Sequence, residues 1–145
     1  MSTAAHPPFI LPVRVYWEDT DAGGVVYYAN YLKFFERART EWLRSLGVNQ
    51  QALKEEAGGI FVVSEAAIKY HRSARLDDRL TITAGLQHAG KASVVFVQQA
   101  RHGGPDGDLL AEATVRVGWV QEQTMRPARM PEEIWRALQE NAPAS

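Results

Sequence analysis

The sequence predicts an α+β fold: an antiparallel five-stranded sheet wrapped around one long helix. Three observations carry this. A single long stretch has apolar residues at helical spacing, five other stretches read as strands, and the connections between the last four strands are short. Short connections make sequential strands antiparallel neighbours, and the apolar face of one long helix must be buried against one face of their sheet.

Taken in order, Phe9 to Glu18 is rich in aromatic and branched apolar residues and reads as a strand, with Pro12 suited to its start or to an edge position. Asp19-Thr20-Asp21-Ala22-Gly23-Gly24 is a turn-forming segment. Tyr31 to Leu46 places Tyr31, Phe34, Phe35, Ala38, Trp42, Leu43 and Leu46 on one broad helical face, with Asn30 as cap and Gly47 as stop. Gln50 to Ala57 reads as a short second helix ending at Gly58-Gly59. Four strands are expected over Ile60 to His71, Arg79 to His88, Lys91 to Arg101 and Leu109 to Gln121. The last alternates cleanly, with Leu109, Ala111, Ala113, Val115, Val117 and Trp119 on one face; the second places Leu80, Ile82, Ala84 and Leu86 inward. Pro131-Glu132-Glu133 opens a short helix over about 131–140, with acids near the positive end of its dipole. The ends, Met1 to Pro8 and Asn141 to Ser145, are small and polar and are expected to fray.

Length and composition set the outer limits. At 145 residues the chain is expected to be one domain, with its core at about 9–123. The 16 Lys+Arg against 17 Asp+Glu give a net charge of -1, which argues against a bulk electrostatic grip on nucleic acid. With 0 cysteines, a thiolate nucleophile, a disulfide scaffold and a Cys-based zinc site are excluded. The four histidines lack metal-ligand spacing, so no metal is expected. No Gly-x-Ser-x-Gly elbow, phosphate loop or dinucleotide fingerprint occurs. With neither a signal segment nor a membrane span in view, a cytoplasmic location is expected. One helix layer leaves a sheet face and edge uncovered, which points to pairing with a second copy.

The segment from Tyr16 to Tyr31 is the most informative. It sets two acids, Asp19 and Asp21, between a strand end and a helix start. Free backbone N–H groups at a helix start stabilise developing negative charge on an oxygen. A carboxylate beside such an end can activate water or attack directly, which suits hydrolysis of an acyl compound. Asp residues in turns also cap backbone groups, so the chemistry alone leaves a purely structural role open for both.

The run Glu18-Asp19-Thr20-Asp21-Ala22-Gly23-Gly24-Val25-Val26-Tyr27, followed by Ala29-Asn30-Tyr31-Leu32 and Phe35-Glu36-Arg37-Ala38-Arg39-Thr40-Glu41, resembles the signature of the 4-hydroxybenzoyl-CoA thioesterase family of hotdog-fold proteins. Within it the run is most similar to the Tol-Pal system-associated acyl-CoA thioesterases; Tyr70 to Asp78 is a second, supporting match. The resemblance spans roughly Val13 to Gln121 and implies an acyl-CoA thioesterase needing no cofactor, since coenzyme A is part of the substrate. It implies Asp21 as catalytic carboxylate and the backbone N–H of Tyr28 as donor to the carbonyl oxygen. Tyr28 departs from the many Tol-Pal-type members that carry a catalytic His there, and a phenol with a pKa of ~10 cannot replace that base near neutral pH. Around these, Gly24, Val25, Tyr27, Glu36 and Ser64 are candidates for the substrate pocket. Arg72, Arg75 and Lys91 are candidates for gripping coenzyme A, each alternatively a solvated surface charge. The resemblance also implies a homo-oligomer, a tetramer built as a dimer of dimers, with active sites between subunits. Rival readings are a hotdog hydratase or dehydratase, and a non-catalytic module binding acyl-CoA or acyl carrier protein.

Overall fold

A computed structural model of the protein describes residues 7–143. The terminal residues 1–6 and 144–145, part of the segments expected to fray, lie outside the described residues. The elements are β1 (Phe9–Arg14), a 3-10 turn (Trp17–Asp19), α1 (Asn30–Ser45), α2 (Gln50–Ala57), β2 (Gly59–Tyr70), β3 (Arg79–Ala89), β4 (Ser93–His102), β5 (Leu109–Gln121) and α3 (Glu132–Glu140). The strands form one sheet in the order β1-β3-β4-β5-β2, antiparallel at every step.

β1 is shorter than its composition predicts. It ends at Arg14 because the Asp19 carboxylate accepts the Tyr16 N–H at 2.8 Å and turns the chain before Glu18. Pro12 sits on this outer strand, where a missing N–H costs no ladder bond. The fourth strand likewise starts at Ser93, leaving Lys91 in the hairpin turn.

The inner sheet face carries Leu80, Ile82, Ala84 and Leu86 on β3, and cross-strand pairing sets Phe96 opposite both Leu86 and Val115. Helix α1 buries Tyr31, Phe34, Phe35, Ala38, Trp42 and Leu43 against that face, as its 3.6-residue spacing requires. At its end, Gly47 N–H bonds Arg44 O and Val48 N–H bonds Leu43 O, so the last carbonyls are satisfied and buried Val48 seats beside Leu43. Asn30 is not the cap: Ala29 holds that position, and the Asn30 side chain reaches 2.9 Å to the carbonyl of Asp19.

The 16-residue α1 lies over β1, β3 and β4 instead of spanning the whole sheet. The inner flank of β2 stays open, and Tyr28, Leu32, Val63 and Tyr70 are exposed along it. At its other end, β2 begins tight against β5: a Cβ on Gly59 would stand 2.1 Å from the Trp119 ring. One polar group lies within the apolar layer. Gln98, 1% exposed, donates to Phe35 O at 3.0 Å and to Thr83 O at 3.2 Å, and accepts from Arg39 at 2.9 Å. No helix among the described residues is long and apolar enough to cross a membrane.

Candidate active site

The two acids of the turn occupy different worlds. Asp19 is 5% exposed and is a keystone: its carboxylate holds Tyr16 N–H, while its carbonyl accepts Tyr27 N–H and the Asn30 side chain, both at 2.9 Å. Asp21 is exposed at the tip of a small bridged loop, closed by Asp21 N–H to Val25 O at 2.9 Å and Gly24 N–H to Asp21 O at 3.0 Å. Its Oδ1 accepts Gly23 N–H at 2.9 Å, an Asx turn that leaves the other oxygen without a bond among the described residues. Gly24 supplies the left-handed backbone (φ 77°) that lets the loop turn back. Val26 N–H bonds Ala74 O at 2.8 Å, and Val25 bridges Arg75, so the second motif forms the floor of the loop.

The helix start is built to present free donors. Asn30 N–H holds Tyr27 O at 2.8 Å. In a trans peptide the N–H points opposite to the C=O, so the Tyr28 N–H aims out of the helix end. The next peptide is held in the same sense, with Tyr28 O accepting Tyr31 N–H at 3.4 Å and the Tyr70 hydroxyl at 3.0 Å. Among the described residues neither Tyr28 N–H nor Ala29 N–H has an acceptor. Tyr28, Tyr31 and Tyr70 pack edge-on around this end, with Tyr28–Tyr70 ring centroids 6.0 Å apart and Tyr31–Tyr70 5.7 Å apart. Burial raises the Tyr70 phenol above its ordinary pKa, and the neighbouring Tyr28 phenol adds to the rise.

The other candidates scatter more widely. Tyr27 stands against Tyr28 with ring centroids 4.9 Å apart. Glu36 is exposed on α1, its carboxylate accepting the Thr40 hydroxyl at 3.0 Å. Ser64 lies at the register shift of β2, its hydroxyl 3.4 Å from Arg116 O, six residues before Tyr70 on the strand. Arg72 is paired with Asp108 at 3.0 Å, while Arg75 flanks the loop through its backbone. Lys91 is not gathered with them. It sits before β4, at the opposite end of the sheet from Arg72 and Arg75, and its ammonium lies 5.4 Å from the Trp135 ring centroid. The 10 residues of β4 put roughly 30 Å between those two ends.

Two residues escaped sequence reasoning. Tyr70 enters the sequence pattern only as part of the second motif, although alternation on β2 places it inward with Ile68, and a tyrosine there needs a partner for its hydroxyl. Arg39 falls on the buried face of α1 between Phe35 and Trp42, where an arginine is unexpected, and its position relative to the apolar stripe was the available signal. No group of three or more His, Asp or Glu able to hold a metal occurs among the described residues.

Comparison with known proteins adds to this geometry. The thioesterase-like superfamily model matches residues 15–138. The acyl-CoA thioesterase YbgC of Haemophilus influenzae is 47% identical over 126 residues, which cover 87% of this chain and 90% of that protein. The crystal structure of a probable thioesterase from Bartonella henselae superposes with a TM-score of 0.78 at 35% identity, over 86% of this chain and all of that one. A 4-hydroxybenzoyl-CoA thioesterase variant in complex with 4-hydroxybenzoyl-CoA shares the fold, with a TM-score of 0.82 at 19% identity over 90% of this chain and 98% of that one.

Proposed function

The chain belongs to the thioesterase-like superfamily, and from that premise we propose that it hydrolyses an acyl-CoA thioester to a free carboxylic acid and coenzyme A. The observation that carries the reading is the outward Tyr28 N–H, without an acceptor among the described residues, on the same braced loop as the exposed Asp21. The thioester carbonyl oxygen would take the Tyr28 N–H, with Ala29 N–H beside it, so charge building on that oxygen meets fixed dipoles instead of reorganising water. Asp21 then removes a proton from a water that attacks the carbonyl carbon, or attacks it directly to give an anhydride that water opens. In either case the C–S bond breaks and the sulfur leaves as thiolate; it takes up the proton that the water gives up, through Asp21 in the first route and on opening of the anhydride in the second.

A second copy of the chain completes this site in the proposed arrangement. The open flank of β2, with Tyr28, Leu32, Val63 and Tyr70 exposed along it, supports pairing there. Arg72 and Arg75 lie near the loop for a coenzyme A phosphate. Antiparallel apposition of β2 against its copy would bring Lys91 from the opposite end of the partner's sheet toward the same place.

The decisive experiment is release of free thiol from a panel of acyl-CoAs. Parent activity with a drop of about 100-fold or more in Asp21→Asn supports the assignment; an Asp21→Asn variant at the parental rate refutes it. The Asx turn at Asp21 favours one other reading, a module that binds acyl-CoA or acyl carrier protein without hydrolysis. Tight binding with no thiol released would establish it.

A further inference from the structure

A cavity of about 180 Å³ lies between α1 and the inner faces of β2, β4 and β5. Its walls are mainly apolar, with Leu43, Phe61, Val94, Phe96, Val117 and Leu138, and Thr40 and Gln50, hydrogen-bonded to each other, are the neutral polar residues in the lining. Into this lining comes one cation, Arg39, which is only 9% exposed. Among the described residues its guanidinium has a single hydrogen-bond partner, the neutral amide oxygen of Gln98 at 2.9 Å, and it stands 6.0 Å from the Phe96 ring centroid. Glu36 is the one carboxylate among the lining residues; it is exposed, and Thr40 occupies one of its oxygens. Burial lowers the Arg39 pKa, with the Glu36 charge working weakly the other way.

A guanidinium so placed is under-used. It carries five N–H donors in a planar fork, and burying a cation without a matching anion is costly. Burial of this kind, in a hollow whose walls are mainly apolar, marks a place where something with a negative end belongs. The cavity also has an entrance in the right place. Glu36 on α1 and half-exposed Val63 on β2 stand at its rim. Toward the helix start, Leu32 and Tyr28 continue the same side of α1 at four-residue steps, leading to the Tyr28 N–H. From Tyr28 to Arg39 is roughly 16 Å along the helix axis, and an arginine side chain leaning toward the N-terminus shortens the gap.

We propose that Arg39 reads the far end of the acyl group, so that the preferred substrates are acyl chains ending in a second carboxylate. This rests on the thioesterase reading of the Tyr28 end. The methylenes would lie against Phe61, Phe96 and Val117, and the ω-carboxylate would pair with the free edge of the guanidinium fork. A plain alkyl chain of the same length would fill the apolar wall and leave the cation unmatched.

The test compares matched substrates at six, eight and ten carbons: hexanoyl- against adipoyl-CoA, octanoyl- against suberoyl-CoA, and decanoyl- against sebacoyl-CoA. The expected result is a kcat/KM at least about 10-fold higher for the dicarboxylic member of one pair in the parent. That ratio should fall about 10- to 100-fold in Arg39→Met and Arg39→Gln, the worth of one charge-assisted pair. A parent that prefers the alkyl member of every pair overturns the proposal, and so does a ratio unchanged in both variants. The parental ratio decides even if a variant fails to fold. If the parent hydrolyses none of these substrates, the thioesterase reading fails separately. Calorimetric binding of the thioether analogues, hexyl-CoA and 5-carboxypentyl-CoA, then reads the cavity alone. Tighter binding of the carboxylated analogue by the parent sustains the role of Arg39, and equal or weaker binding removes it.

Discussion

Tyr70→Phe is the sharpest probe of how the helix end is held. The substitution deletes one oxygen, and with it the 3.0 Å hydrogen bond to the Tyr28 carbonyl, while the ring keeps its edge-on contacts with Tyr28 and Tyr31. A neutral hydrogen bond contributes about 0.5–1.5 kcal/mol, and since Tyr70 is 46% exposed, water replaces part of it. Stability should therefore fall by about 0.5–1 kcal/mol, or roughly 2–4 °C in Tm. The catalytic effect should be larger in proportion. The lost bond orients the peptide next to the Tyr28 N–H, so under the proposed mechanism a loosened helix end would weaken contact with the oxyanion of the transition state more than with the ground-state carbonyl. In a thiol-release assay kcat should drop about 2- to 10-fold with KM unchanged. Tyr70→Leu, which also removes the ring, should raise KM in addition. A Tyr70→Phe variant with parental kcat, or with its whole loss in KM, would refute the claim that this hydroxyl positions the donor.

Other expectations follow from the same contacts. Asp19→Ala should cost about 1–2 kcal/mol in urea unfolding, because a charge-assisted bond to a partly solvated N–H is lost; Asp21→Asn should change stability by less than about 0.5 kcal/mol, since Asn also supports an Asx turn. Gly59→Ala should destabilise by about 1–3 kcal/mol in the same experiment, the added methyl colliding with the Trp119 ring. Burial raises the Tyr31 phenol above 10.0, while the Ala74 N–H bond partly opposes the rise. A folded pKa above the unfolded one gives stability that is complete below pH ~10 and lost as pH climbs through the folded value, so parental Tm should fall above pH ~10 and fall less steeply in Tyr31→Phe.

Much of the architecture is periodic and therefore readable from the chain. The apolar stripe of α1 and the inward residues of β3 and β5 follow from spacing alone, since nothing else buries those side chains. The errors gather where side chains bond to backbone. Asp19 stops β1 early, and Asn30 turns back to Asp19 instead of capping its helix; neither long-range choice leaves a periodic trace. The site was legible as a segment, and the family resemblance singled out Asp21 within it, while the residues by themselves left a structural role open for both acids. Burial now separates the two, Asp19 as the keystone and Asp21 as the exposed acid. Lys91 shows the opposite limit: its place beside a hairpin does not reveal that, within one subunit, the length of β4 sets it at the other end of the sheet from Arg72 and Arg75.

Gln98 has one further consequence. A greasy helix on a greasy sheet can rotate or slide by a fraction of a turn at small cost, since apolar contacts are forgiving of direction. The Gln98 amide is not. Its donors meet Phe35 O and Thr83 O, and its acceptor meets Arg39, only at a single rotation of α1 about its own axis. That setting also fixes which way the helix start faces. The aim of the Tyr28 N–H is thus calibrated from the middle of the protein, by an amide that grips α1 at Phe35, about two turns beyond the helix start. Variants at Gln98 should accordingly be judged by angular precision at the helix end and not by melting temperature alone.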